Sequence, residues 1–283
     1  FQNSGNELNF YVNDADHAYT HGLSSSGVDV WVHLAVVRIS GTTKIYQDGV
    51  EKTSFSDTSD YDSGEYIMIG VRNSNTNASP NLAQWFEGRA EDIRVTKGLG
   101  IYTGAFTKPS GPLTTTWTQT GSGTPTSNGG YTSLTNIATN SDSSKVKLLL
   151  LGDGAKFTDS ATTGTTHTPV ATGSYHTQTH GGIAPAIAWP ASGKSTGTSG
   201  VYFTTADQKL TINTPSGGGL NAALAGTGSW FWEGWIYYIY TATHGYRVIF
   251  SSRGSNVVTA LLLAIDEPNN QLDILMGGSS AWH

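Results

Sequence analysis

The chain has 283 residues, enough for one large or two medium domains with ample apolar material for a core. Only 13% of residues are charged and the formal net charge is -6, which excludes the basic surface that nucleic acid or an anionic membrane attracts. There is no cysteine, hence no disulfide and no thiolate metal site, and 35 glycines with 11% aromatics among abundant Ser and Thr read as all-β.

In chain order, Phe1 opens no signal-peptide pattern, and the expectation is a stretch that begins inside a larger polypeptide. Val30 to Ile39 is apolar on both faces for most of its length, as a central strand covered on two sides is. Lys44-Ile45-Tyr46-Gln47 and Val50-Glu51-Lys52-Thr53 flank Asp48-Gly49, a strong hairpin signal because both central turn residues need positive φ. Tyr66 to Val71 predicts a further strand, Arg72 to Leu82 an Asn/Ser-rich exposed loop, and Gln84 to Gly88 leads into a strand over Ala90 to Val95.

Pro109 to Ser144 is Thr/Ser/Gly-rich, and from Thr114 to Gly130 it has no apolar period apart from Trp117, so it reads as a connector. Regular structure restarts at Val146 to Leu151. Strands follow at Gly200 to Phe203, Lys209 to Ile212, Trp230 to Tyr240, Arg247 to Phe250, Val258 to Ile265 and Gln271 to Met276. The longest apolar run, Val257 to Ile265, has the length of a buried strand, far from the roughly 20 residues of a membrane-crossing helix, so no membrane insertion is expected. Asn6-Glu7-Leu8-Asn9-Phe10 mirrors Asn270-Gln271-Leu272-Asp273-Ile274, and the offset, position 272 less position 8, is 264 residues. That offset is the expected repeat length.

The segment Gly88-Arg89-Ala90-Glu91-Asp92-Ile93-Arg94-Val95-Thr96-Lys97-Gly98, followed by Tyr102-Thr103-Gly104-Ala105-Phe106-Thr107-Lys108-Pro109, resembles the closing motif of laminin G-like domains. Trp31 to Arg38 and the Asp48-Gly49 hairpin fit the same half of that pattern. Lys147 to Gly154, Phe157-Thr158-Asp159-Ser160 and Trp232-Glu233-Gly234-Trp235-Ile236-Tyr237 resemble its first half. The resemblance implies an all-β, concanavalin A-like jelly-roll sandwich of antiparallel sheets, with its halves in permuted order. Residues 1–109 are then the C-terminal half, 110–145 the connector and 146–283 the N-terminal half. Half a jelly roll leaves an apolar sheet face bare, so neither half is expected to stand alone. The halves either close on each other or belong to different sandwiches of a tandem array; the connector's composition favours separate sandwiches.

The glucanase branch of that superfamily needs carboxylates at Glu-x-Asp-x-x-Glu spacing, about 5–5.5 Å apart for retention. The chain has no such motif. Glu87 and Glu91 would stand ~13 Å apart on a strand rising about 3.3 Å per residue. With Asp92 they read as solvated rim or turn carboxylates. Calcium, a hard cation that takes oxygen ligands, is the metal the resemblance implies, at Asp159 and Glu91, although the family usually has Asp where Glu91 stands. The pairs His17/His21 and His176/His180 have a spacing that serves zinc on a helix but not on extended chain. His33, alternating with Trp31 and Ala35, reads as a packed or hydrogen-bonded sandwich residue. Trp232 and Trp235 cannot share a face, so at least one is expected between sheets. A sugar site is expected at Asn73, Asn75 and Asn77 with Trp85, polar groups beside an aromatic plate.

The resulting reading is a non-catalytic structural or adhesion protein, a phage or other virion tail or fibre component with tandem laminin G-like modules. Its expected partners are other copies or neighbouring subunits and cell-surface glycans, in a virion or extracellular setting. Carbohydrate-binding modules of a larger secreted glycan-active protein, and a self-assembling filament subunit, are the competing readings.

Overall fold

The computed structural model describes residues 7–12, 15–20, 31–60, 67–73, 80–119, 125–127, 130–152, 157–159, 169–172, 201–203, 209–212, 226–238, 246–251, 261–266 and 271–276. Strands β1 (Glu7–Val12), β2 (Ala15–Thr20), β3 (Trp31–Ile39), β4 (Thr42–Gln47) and β5 (Val50–Ser56) precede β6 (Ile67–Ile69), β7 (Val71–Asn73), β8 (Pro80–Trp85) and β9 (Gly88–Lys97). The middle of the chain adds β10 (Thr118–Gln119), β11 (Pro125–Ser127), a 3-10 turn at Ser143–Lys145 and β12 (Val146–Gly152). Then come β13 (Phe157–Asp159), β14 (Pro169–Thr172), β15 (Val201–Phe203) and β16 (Lys209–Ile212). Last are β17 (Trp230–Tyr238), β18 (Tyr246–Ser251), β19 (Leu261–Asp266) and β20 (Gln271–Met276).

Two large sheets face each other, as the all-β sandwich expectation requires. The first runs β14-β16-β6-β18-β19-β20-β1-β2 and the second β13-β12-β9-β17-β3-β4-β5, with β15 added beside β9. In place of two separate sandwiches, the halves close on each other. β17 lies between β9 and β3, antiparallel to both, with Trp230 opposite Arg38 and Tyr237 opposite Trp31. β6, from the first half, sits between β16 and β18 of the second. Each sheet is therefore unfinished without strands from both ends of the chain.

The central strands of the second sheet are covered on both faces, which explains why β3 and β17 lack a polar side. Val32, Leu34, Val36, Trp232, Ile236 and Ile93 face the first sheet and pack with its Ile69, Ile249, Phe250 and Leu263. Ala35, Val37, Phe231 and Leu149 point the other way, into a second apolar cluster. The partners there are Ile101, Tyr102, Leu113, Trp117, Tyr131, Leu134 and Ile137. The stretch expected as a mere connector thus supplies a third layer. Its apolar residues are too irregularly spaced to announce a strand or helix, yet all five from Leu113 to Ile137 just named are buried. Each Leu or Ile so buried contributes roughly 1.5–3 kcal/mol. Trp117 is further held by its indole N–H, which donates to the Ala138 carbonyl at 2.7 Å, and by reciprocal backbone bonds with Asn140.

The Asp48-Gly49 turn forms as its sequence predicts, with φ of 52° and 79°. Gly49 is needed twice over. A Cβ there would stand 1.9 Å from the Phe106 carbonyl oxygen, and the Phe106 N–H donates to the Gly49 carbonyl at 3.0 Å. The hairpin tip is thereby seated against the segment that follows β9.

Because each half presents an apolar face that only the other covers, residues 1–109 and residues 146–283 produced separately should show no cooperative thermal transition. The full chain should show one. A sharp melt from either half alone, read by near-UV circular dichroism, contradicts the interleaved closure.

Candidate functional site

The outer face of the second sheet carries its polar chemistry. Along β17, Phe231, Glu233, Trp235 and Tyr237 alternate onto that face, opposite Val37, Ala35, His33 and Trp31 of β3. On β9 the register slips: Glu233 pairs with Arg94, but Trp235 pairs with Glu91, so β9 holds one residue more than its partner. Asp92 takes this bulge at φ 49°. Residues 91 and 94 would face opposite sides of a regular strand; the bulge turns both toward Glu233 and Trp235.

Glu233 is fully buried and surrounded by donors. Arg94 Nε donates to its Oε1 at 2.6 Å and His33 Nε2 to its Oε2 at 3.0 Å. The Tyr102 hydroxyl donates to Oε2, and the Tyr131 hydroxyl lies 3.3 and 3.4 Å from the two carboxylate oxygens. Arg94 Nη1 reaches the Thr114 carbonyl at 2.7 Å and Nη2 donates to Tyr131. The guanidinium stands 4.1 Å over the Trp117 ring. Tyr102 stacks on Phe106 with ring centroids 3.6 Å apart, and Lys108 pairs with Asp48 at 2.7 Å. The run from Tyr102 to Lys108 therefore straps this face, gripping Glu233 at one end and the β4–β5 turn at the other.

Burial opposes charge on Glu233, but the Arg94 charge and the His33 and Tyr102 hydrogen bonds prevail and hold its carboxyl down at about 2. Burial pushes the Tyr102 hydroxyl well above its ordinary range, with the Glu233 charge adding to it. Burial likewise raises Tyr131. Burial works against the Arg94 charge, and Glu233 outweighs it. At neutral pH the centre is one carboxylate, one guanidinium and two protonated phenols, out of reach of water. A carboxylate so held offers no proton for general-acid work and accepts none readily. Its chemistry is that of a lock, joining β17 to β9, β3 and the third layer.

A second clasp lies at the other edge of the halves' seam. Arg38, also fully buried, donates from Nε to Gly228 O at 3.1 Å, from Nη1 to Ser59 O at 2.5 Å and from Nη2 to Gly226 O at 2.6 Å. Asp57, 3.5 Å from Nη1, accepts from Thr43 at 2.6 Å, and Asp60 accepts the Gly226 N–H at 2.6 Å.

Of the residues singled out in the sequence, Glu91 shares the outer face with Glu233, while Asp159, Asn73 and Trp85 stand on other strands. Glu91 lies within β9 opposite Trp235 and is 0% exposed, and Asp92 is 3% exposed. The solvated rim expected for these two does not hold, because β9 is an inner strand, paired with β17 on one flank and with β12 and β15 on the other. Asp159 sits opposite Leu150 on β13, the end strand of the second sheet, two strands away from β9. Calcium takes six to eight oxygens, and among the described residues no three His, Cys, Asp or Glu side chains gather where they could hold a metal. Asn73 and Trp85 lie on the paired strands β7 and β8 but at opposite ends of the ladder, Asn73 beside Pro80 and Trp85 beside Val71. Asn75 and Asn77 lie outside the described residues, as do His21, His176 and His180, while His17 is on strand β2. His33 is packed and hydrogen-bonded as expected, and Trp232 and Trp235 are both buried on opposite faces.

Glu233, Arg94 and Tyr131 were not among the candidates. The signal was present: a carboxylate inside Trp-Glu-Gly-Trp, and an arginine inside Ile-Arg-Val, stand in strands buried on both faces, where a charge must be paired.

Residues 1–99 match the family model of laminin G-like domains described as the concanavalin A-like lectin/glucanases superfamily. No curated protein and no solved structure matches the chain.

Removing one partner of this pair strands the other charge. Glu233→Ala should cost about 3–5 kcal/mol in denaturant unfolding. The pH dependence has a definite sign. The folded-state value of about 2 lies below the ordinary 4.5, so the stabilisation is complete above pH 4.5 and is lost as pH falls toward 2. Glu233→Gln should flatten the fall of Tm in that window; an unchanged slope means the carboxylate is not held as described.

Proposed function

We propose that the chain is a non-catalytic structural and adhesive module of a virion tail, fibre or other extracellular assembly. It presents loops on a stiff sandwich to a surface glycan or a neighbouring subunit. The observation that carries this reading is the state of Glu233. Glycoside hydrolysis needs two accessible carboxyl groups, one of them protonated. Here the carboxylate at the centre of the broad sheet face is dry, ionised and occupied by four donors beneath a third layer. Polar groups that an enzyme would leave open to substrate are used to close the fold.

Joining both ends of the chain in each sheet also suits a mechanical role, because no half can be displaced without exposing apolar surface. Tandem repetition at the 264-residue offset belongs to the same proposal.

The test pairs a glycan array with a reducing-end assay on the full chain. Retention on a defined set of glycans without release of reducing ends is the expected result. An array without signal assigns the contact to protein neighbours instead. Release of reducing ends above a buffer control overturns the non-catalytic reading.

A further inference from the structure

The strands nearest the two ends of the chain lie side by side. β1 and β20 form a parallel pair in sheets whose other described ladders are antiparallel, with Phe10 opposite Ile274, Tyr11 opposite Leu275 and Val12 opposite Met276. Each pair is 264 positions apart (274 less 10), the same offset that aligns Asn6-Glu7-Leu8-Asn9-Phe10 with Asn270-Gln271-Leu272-Asp273-Ile274. A strand set against its own equivalent, position by matching position, necessarily runs parallel to it. The ladder therefore has the register that a repeated element pairing with its own equivalent would take. Ordinary succession of strands in a jelly roll would produce the antiparallel arrangement instead.

The two copies are held very differently. β20 pairs with β19 along its whole length, from Leu261 opposite Met276 to Asp266 opposite Gln271. β1 pairs with β2 over all six of its residues, from Glu7 opposite Thr20 to Val12 opposite Ala15, but with β20 over three. The β1–β2 hairpin is thus a unit added at the end of the sheet, with β20 on one flank and β5 of the second sheet close to β2.

We propose that the flank of β20 is a docking edge for the β1–β2 hairpin of a second copy of this chain, in the same parallel register. Exchange of hairpins makes and breaks the same residue pairs, so concentration decides between the two forms, as in domain swapping. The contact is heterologous: each copy gives a hairpin at one edge and receives one, and such contacts extend head to tail unless the rotation closes a ring. Strand addition supplies the affinity through main-chain hydrogen bonds. The inference rests on reading the chain as a unit of an assembly. The glycan and reducing-end assays judge that reading without reference to β1.

The absence of cysteine makes the test clean. Positions 11 and 275 face each other across strands about 4.8 Å apart, within the reach of a disulfide. Tyr11→Cys and Leu275→Cys chains, mixed near the ~mM concentration at which exchange competes with the tethered hairpin and oxidised with oxidised glutathione, should give a covalent heterodimer. Its yield should exceed several-fold the homodimer from either variant alone. A mixture no richer in covalent dimer than the single-variant controls overturns the proposal. Should either variant fail to fold, sedimentation velocity of the unmodified chain decides. Mass that rises over a hundred-fold concentration range, and no longer does so once residues 1–20 are deleted, supports the docking edge. A constant monomer, or association indifferent to that deletion, overturns it.

Discussion

A carboxylate removed from water must be neutralised where it stands, and Glu233 is neutralised by groups that arrive from four separate stretches of the chain. Arg94 comes from β9, His33 from β3, Tyr102 from the strap and Tyr131 from the third layer. None of these can be moved alone. Displacing β17 would leave the Arg94 guanidinium buried against Trp117 with its counter-charge gone, a penalty well beyond that of a missing neutral hydrogen bond. The sandwich owes its unity to this dependence, because the apolar faces would tolerate some sliding but a directional, charged network does not.

The bulge at Asp92 is what makes the network possible. A regular β9 would send Arg94 outward and Glu91 inward, or the reverse, and one charge would lie between the sheets among Trp232, Ile236 and Phe250. One extra residue at positive φ places both on the outer face instead. The backbone irregularity and the buried charges are thus one feature: the first aims the second.

Much of this architecture was legible in the amino acids, and the parts that were not share a cause. Val30 to Ile39 announced coverage on both faces, Asp48-Gly49 announced its turn, and the alternation of Trp232 against Trp235 announced opposite burial. These are local patterns with fixed periods. The bulge at Asp92 has no period, so the facing of Glu91 and Arg94 was unreadable. The third layer from Leu113 to Ile137 packs as irregular chain, where apolar residues at uneven intervals look like linker composition. Glu233 stands neither at glucanase spacing nor on a loop, and its informative sign is an unexplained charge in a strand without a polar side. Asp159, Asn73 and Trp85 follow from resemblance and loop chemistry, and each stands on a strand: β13, β7 and β8.

β17 has neighbours on both flanks, a sheet beneath it and a third layer above it. Its amide protons have no fraying edge through which to meet solvent. Opening that strand requires separating the sheets and lifting the strap together, so its hydrogen exchange would proceed only through global unfolding. The β1–β2 hairpin lies at the end of the other sheet, joined to β20 by a three-residue ladder and close to β5 of the second sheet. The fold thus sets a slow-exchanging centre against a margin built from one added hairpin.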